Sequence, residues 1–301
     1  MTARNLWTPG KAVELMPGLR RILAPNPSAM TYKGTNTYLL GKRDIAVIDP
    51  GPPDEAHLQA ILSALEGHQR VSHILVTHSH IDHSPLAMVL AQFTGARVHA
   101  FGNSRAGRTP VMEGLSGLGG GEGIDETFMP DEQLQDGSLL EARGWTIEAL
   151  HTPGHMGNHM CFAWQEGKAL FSGDLVMGWA TSMVSPPDGD LTQFMSSVER
   201  LEERGTETVF YPGHGEPVED PATRMRELLG HRKMREAQIV QALRRGDATA
   251  GSLAAQIYTE VDPALLPAAE RNVLAHLIDL AGQNRIQSSG PITADAQFGL
   301  I

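Results

Sequence analysis

Thr77-His78-Ser79-His80-Ile81-Asp82-His83 is the stretch that decides the fold. It follows directly on Ile74-Leu75-Val76, a short apolar run of the kind that forms a buried strand. Ser84 and Pro85 then read as the N-cap and first residue of a helix that Gly95 ends. A strand that delivers three histidines and an aspartate onto a loop at a helix start predicts an α/β architecture with a site at the strand end. Imidazole and carboxylate are good ligands for zinc and similar divalent metals. One tetrahedral ion cannot use His78, His80, Asp82 and His83 and still accept distant ligands, whereas two neighbouring ions can. His78 and His80, two residues apart, can point the same way, and Asp82 and His83 then turn toward a second ion.

Further ligands are expected singly on other strand-end loops, and three stand out. His155 closes His151-Thr-Pro-Gly-His155, Asp174 closes Phe171-Ser-Gly-Asp174, and His214 lies in Tyr211-Pro-Gly-His-Gly215. Each has a glycine beside it, as a tight loop around an ion requires. His151 and His159 flank this site. His57, His68, His73 and His99 are isolated, and each reads either as packing or as a supporting group. His231 and His276 fall on tail helices and read as surface or packing residues.

Strands are expected at 35–40, 45–48, 145–150, 159–164, 169–171 and 208–211. Asp54 caps a helix carrying Leu58, Ile61, Leu62 and Leu65 that Gly67 stops, and Asp190 caps one carrying Phe194, Val198 and Leu201 that Gly205 ends. Two successive strand-rich sections, each with helices, imply helices covering the outer faces of two packed sheets. Residues 103–138 break this rhythm. Gly107, Gly114, Gly117, Gly119, Gly120, Gly121 and Gly123 crowd a stretch without period, read as a long loop over the site, either a lid or an ordinary insertion. From 221 to 245 the pattern suits one long helix. Shorter helices follow at about 250–259 and 268–281, and β-prone pieces near Ile286 and Ile292 suit a wing. The domains expected are therefore 1–220 and 221–301.

The chain has 301 residues and a formal net charge of −11 at pH 7, a balance that disfavours non-specific contact with nucleic-acid phosphates. From residue 221 onward nine basic residues face eight acidic ones, so the tail is no basic arm, and packing or homodimer formation is its first reading. No apolar run is long enough for a membrane span, and the first residues lack the apolar core of a signal peptide, which predicts a cytoplasmic protein. The single cysteine, Cys161, reads as a small core residue of a half-buried strand. Met156, Met160, Met177 and Met183 near the site read as packing, and a methionine-lined pocket would suit a partly apolar substrate.

The order His-x-His-x-Asp-His, His-Thr-Pro-Gly-His, Ser-Gly-Asp, Pro-Gly-His over about residues 13 to 220 resembles the metallo-β-lactamase superfamily. The resemblance implies an αββα sandwich followed by a small, mostly helical winged-helix-like domain. It implies that His78, His80 and His155 bind a first metal, that Asp82, His83 and His214 bind a second, and that Asp174 bridges them. Zinc is the first expectation, with manganese or iron also compatible. Asp49, in Ile48-Asp-Pro-Gly51, matches the acidic strand end that supports the histidine loop in this family; otherwise it is a turn residue before Pro50. Asp82 would also orient the metal-bridging hydroxide that serves as nucleophile.

Asn26-Pro-x-x-Met-Thr-x-x-Gly-Thr-Asn-Thr-Tyr-Leu39 and His231-Arg-x-x-Arg-Glu236 are similar to motifs of the β-lactamase-like protein 2 group, which includes a single-strand endoribonuclease. Lactamases of the third subclass typically carry serine where Asp174 stands, whereas thioester hydrolases such as glyoxalase II keep the aspartate. Relatives often carry Ser-Gly-Gly where this chain reads Ser84-Pro85-Leu86. The reading that follows is a dinuclear metal-dependent hydrolase of a small ester, thioester or related substrate. The alternatives are cleavage of single-stranded RNA or another phosphodiester, a promiscuous β-lactamase activity, and an iron-dependent oxidation on the same fold.

Overall fold

A computed structural model describes residues 7–118 and 123–301. Seven strands form the first sheet in sequence order: β1 (Val13–Met16), β2 (Leu19–Leu23), β3 (Asn36–Leu40), β4 (Asp44–Ile48), β5 (Arg70–Leu75), β6 (Arg97–Ala100) and β7 (Glu132–Gln133). Neighbours are antiparallel from β1 to β4 and parallel from β4 to β7. The second sheet runs in the order β12 (Val209–Pro212), β11 (Ala169–Gly173), β10 (Met160–Trp164), β9 (Trp145–His151) and β8 (Leu139–Ala142). Its β11–β12 pair is parallel and the rest antiparallel.

The two sheets bury a shared core that includes Tyr38, Leu40, Ile48, Trp145, Phe162 and Phe171. On the outer face of the first sheet, α1 (Glu55–Ser63) and α2 (Leu86–Thr94) pack Leu58, Ile61, Leu86 and Leu90 against Val47, Ile74 and Val98. The short α3 (Pro110–Gly114) lies within the connection to β7. On the outer face of the second sheet, α4 (Leu191–Arg204) buries Leu191, Phe194, Val198 and Leu201. Their three- and four-residue spacing puts them on one helical face. The Asp190 carboxylate accepts the Gln193 N–H at the start of α4, and Gly205 turns left-handed at its end, with φ 56°. The result is the expected four-layer αββα sandwich.

The first half of α5 (Pro221–Leu243) packs Met225, Leu228 and Leu229 on this outer face. Its second half, with Ile239 and Leu243, joins a separate core formed with α6 (Ala250–Ile257) and α7 (Leu266–Gly282). A three-stranded sheet, β13 (Ala248–Thr249), β15 (Gln297–Leu300) and β14 (Ile286–Ser288), completes that unit. No helix of the described residues is long and apolar enough to cross a membrane.

Several local expectations need correction. The second wing strand is Gln297–Leu300, not the segment at Ile292, because β15 pairs with both β13 and β14. Helix α1 ends at Ser63, and Leu65 lies in a turn whose N–H reaches Leu62 O. Ser84 is not a helix cap. Pro85 occupies that position, and the Ser84 hydroxyl instead bridges His80 O and the Asp125 carboxylate. Cys161 sits in a strand whose five residues are all buried rather than half-buried. The 103–138 stretch is not simply a loop: it contributes α3 and β7, and its segment after Gly123 pairs with the histidine loop through Ile81 N–H to Gly123 O and Asp125 N–H to Ser79 O. Gly119, Gly120 and Gly121 lie outside the described residues, as do residues 1–6 of the leader reading.

Candidate metal centre

Every candidate ligand lies just beyond the C-terminal end of a strand, at one rim of the sandwich: residues 78–83 after β5, His155 after β9, Asp174 after β11 and His214 after β12, with the supporting Asp49 after β4. The side chains converge. Three groups have donor atoms within 4.8 Å of one another: His78, His80 and His155; His78, His83 and Asp174; and Asp82, His83 and His214. His80 Nδ1 lies 2.9 Å from His78 Nε2 and 3.0 Å from His155 Nε2. His214 Nε2 lies 3.2 Å from Asp82 Oδ2 and 3.3 Å from Asp174 Oδ2, and His83 Nε2 lies 3.3 Å from Asp82 Oδ2. Asp174 faces both halves, with one oxygen 3.6 Å from His83 Nε2 and the other 3.7 Å from His155 Nε2.

The outward nitrogens of four imidazoles are anchored, which fixes their tautomers. Thr77 Oγ1 donates to Asp49 Oδ2, so it must accept the Nδ1–H of His78. His83 Nδ1–H donates to the same Asp49 oxygen at 2.9 Å, while the Thr77 N–H donates to the other at 2.7 Å. His155 Nδ1–H donates to Met183 O at 2.7 Å, and His214 Nδ1–H to Gly34 O at 3.2 Å. Each thereby turns its Nε2 inward toward the other candidate ligands, the orientation a metal-binding imidazole needs.

Electrostatics divide the site. Burial pushes His78, His80 and His155 down, His80 to about 3, so these imidazoles are neutral. Burial also opposes charge on His214 and His83. There the Asp174 and Asp82 carboxylates outweigh it, raising His214 to about 9 and His83 well above its ordinary value. The carboxylate-bearing half therefore demands positive charge.

The donor set fits metal ions. Ligand atoms about 2.1 Å from a tetrahedral ion sit about 3.4 Å from one another, close to the separations above. His83 Nε2 and Asp174 Oδ1 are buried without a hydrogen-bond partner, which is costly unless something else meets them. Gly213 keeps the space open: a Cβ there would press on Asp174 Oδ1 and lie 2.6 Å from His83 Cε1.

Other residues support the centre. His159 accepts the Asp174 backbone N–H through Nε2, and His57 donates from Nε2 to Thr37 Oγ1. His151 stacks on Phe101 at 3.6 Å and donates to Gly157 O. Cys161, its thiol pushed by burial to about 12, is in none of the ligand groups.

Sequence reasoning missed the polar run of β3 and the residue before it. Thr35 Oγ1 donates to Asp82 Oδ2 at 3.0 Å and is itself held by Asn26. Asn36 Nδ2 donates to Pro212 O and Gly215 O, on either side of His214, and Tyr38 OH also reaches Pro212 O. The signal was available: four consecutive polar or hydroxyl-bearing residues on a buried strand must all find partners.

A cavity of about 980 Å³ opens onto His80, Asp82, His155, Asp174 and His214. Its walls include Met30, Met177, Trp179, Met183 and, from the C-terminal helices, Leu265. Met156 and Met160 are buried away from it in the core.

The profile of the Metallo-beta-lactamase superfamily matches residues 30–214, and that of the Beta-lactamase associated winged helix domain matches 249–293. The chain is 33% identical over 291 residues to the Beta-lactamase-like protein 2 homolog of Drosophila melanogaster, an alignment covering 92% of each. It is 32% identical over 234 residues to a protein of Aspergillus fumigatus named Atrochrysone carboxyl ACP thioesterase, covering 76% of this chain and 66% of that one. It thus spans slightly less than two thirds of such fungal relatives, 66% and 64% for the Aspergillus fumigatus thioesterase and an Aspergillus niger lactamase-like protein. Among solved structures, a metallo-beta-lactamase family protein of Thermus thermophilus superposes with a TM-score of 0.75 at 25% identity, covering 96% of this chain and 100% of that one.

Proposed function

From the premise that this chain belongs to the metallo-β-lactamase superfamily, a hydrolase family, with a C-terminal winged-helix domain, we propose that it hydrolyses a thioester or ester of a largely apolar acyl group. His78, His80 and His155 would hold one ion and Asp82, His83 and His214 a second, with Asp174 facing both sets. Zinc suits this nitrogen- and oxygen-rich set.

The observation that carries the substrate class is the cavity wall. Among the described residues lining it the cations other than histidine reduce to Arg271, which already donates to Leu118 O and Pro186 O. A polyanion such as RNA is held through many Lys and Arg contacts. A wall of methionine, tryptophan and leucine favours an apolar acyl chain or ring instead. The name of the Aspergillus fumigatus relative supports a thioester as the bond broken.

When bound, the two ions supply the Lewis acidity that makes water nucleophilic near neutral pH and polarises the scissile carbonyl. The chain's own residues set the geometry. Asp49, Thr77, Gly34 and Met183 hold the imidazole tautomers, and Thr35 holds Asp82 so that its carboxylate orients the attacking water. The apolar wall excludes bulk water from the acyl group.

Parallel turnover of an aromatic acyl thioester, a chromogenic lactam and labelled single-stranded RNA tests this reading, with metal content measured on the same sample. The thioester is expected to turn over fastest, with activity lost in His80→Ala. RNA cleavage that outpaces it, or full activity in that variant, overturns the reading.

A further inference from the structure

The His231-Arg-x-x-Arg-Glu236 motif has no part in the chemistry above, yet it contains one of the most buried charges in the molecule. Arg232, on α5, is 3% exposed. No carboxylate lies within ion-pair reach of it among the described residues. Its guanidinium donates instead to Thr181 O at 2.9 Å, Ser182 O at 2.7 Å and Asn272 Oδ1 at 2.9 Å, and it stacks over the Phe194 ring. Burying a guanidinium without a counter-charge is costly, and a methionine would fill similar space without that cost. The charge therefore has a use, and its partners identify it.

Asn272 Oδ1, on α7, accepts both Arg232 Nη1–H and the backbone N–H of Val184. The pair thus grips the residue before Met183, at Ser182 O, and the residue after it, at Val184 N. Met183 O is the group that holds His155 Nδ1–H. Ser182 has φ 60°, a left-handed conformation that costs a non-glycine residue energy and needs external support. Arg224 strengthens the same strip through Met177 O and Ala180 O, and Arg271 does so through Ser185 Oγ and Pro186 O.

We infer that Arg232 and Asn272 are positioning residues for the metal centre: from the C-terminal helices they bracket Met183, whose carbonyl holds His155 in its metal-binding tautomer and orientation. The inference rests on the two-ion reading. It assigns the C-terminal helices a task inside the catalytic centre, separate from lining the cavity.

The test is metal affinity, measured on the full chain by zinc titration against a chromogenic chelator and by the visible spectrum of the cobalt-loaded protein. In Arg232→Met one of the two sites is expected to weaken by about 10- to 100-fold, the size of effect that supporting groups have on metal affinity. The other site should hold its affinity. In a His155→Gln background the same substitution should weaken nothing further. Asn272→Leu should reproduce the selective loss, while Asn272→Asp, which keeps the acceptor for Arg232 and Val184, should restore it. This second series keeps the test available should Arg232→Met fail to fold. Equal weakening of both sites, additive loss in the His155→Gln background, or unchanged affinity overturns the inference while the two-ion reading stands. A wild-type chain that takes up fewer than two ions overturns both.

Discussion

Asp49 Oδ2 accepts the Nδ1–H of His83 at 2.9 Å, with both side chains buried, and the same oxygen accepts the hydroxyl of Thr77. One carboxylate at the end of β4 thereby fixes His83 directly and His78 through Thr77, so both halves of the centre share a single support. Asp49→Asn keeps size and shape but replaces one carboxylate oxygen with an amide N–H₂ group. That group cannot accept a hydrogen bond, so either the Thr77 N–H or the His83 and Thr77 side chains lose their acceptor. Metal affinity is expected to fall by about 10- to 100-fold, with His83 the more affected ligand. Isothermal titration with zinc checks this, and unchanged affinity would reduce Asp49 to a turn residue.

Gly213→Ala is expected to remove metal binding at the half holding His83 and Asp174, because the added methyl occupies the space between them. Helix and sheet content by circular dichroism should remain, since residue 213 lies outside β12. Full metal occupancy in this variant would show that the ligands meet differently.

Chelation should abolish turnover and lower the melting temperature, and zinc should restore both. Ligand bound only by the folded state stabilises it by about 4 kcal/mol at a thousand times its dissociation constant. Differential scanning calorimetry with and without chelator measures this. An unchanged transition would mean that folding and metal uptake are not linked.

Acid should destabilise the chain through buried histidines that are not among the candidate ligands. Burial lowers His57 to about 4 and, helped by Arg232, lowers His276 to about 3, against an ordinary value of 6.5. Between those values the unfolded chain binds protons that the folded chain refuses. Their contribution to stability is thus complete above pH 6.5 and declines as pH falls through the folded values. His276→Leu should flatten the fall by up to about 1.4 kcal/mol per pH unit. Urea midpoints from pH 7 to pH 4 check the slope, and parallel wild-type and variant curves would contradict it.

Trp179→Ala should lower kcat/KM for an aromatic acyl thioester by about 10- to 100-fold, the range that lost apolar contact in a pocket commands. An acetyl thioester should be nearly unaffected. Trp179 stacks on Tyr32 with ring centroids 5.0 Å apart at the cavity wall, so Tyr32→Ala should show the same preference in weaker form. Equal losses on both thioesters would place the acyl group elsewhere.

The candidate ligands were legible because His78, His80, Asp82 and His83 crowd six residues after an apolar run, and His155, Asp174 and His214 each stand beside a glycine near a strand end, signals that lie within a few residues of one another. The αββα layering was legible from the alternation of strand and helix periods, and the caps Asp54 and Asp190 from their side-chain chemistry. What escaped depends on partners far along the chain. Ser84 looks like a cap until Asp125 takes its hydroxyl, 41 residues away. The wing's second strand is set by β15 pairing on both edges, which its own residues 297–300 do not announce. β1, β2 and β8 are short and mixed in polarity, so period gave no purchase on them. Thr35 and Asn36 read as ordinary strand residues until their partners Asp82 and Pro212 are seen.

The cavity draws its floor from strand ends and part of its wall from α7 and the turn before it. On the proposed reading, part of the selectivity is consequently inherited on a different stretch of the chain from the reaction. Substitutions at positions such as Leu265 would then retune which acyl group fits while the candidate ligands stay untouched. Drift of that kind has a limit, because a shift of α7 itself would carry Asn272 with it and disturb His155. Cavity-lining side chains of that helix such as Pro267 and Ala268 can diversify, whereas Asn272 and the seat that buries Val273, Leu277 and Ile278 cannot.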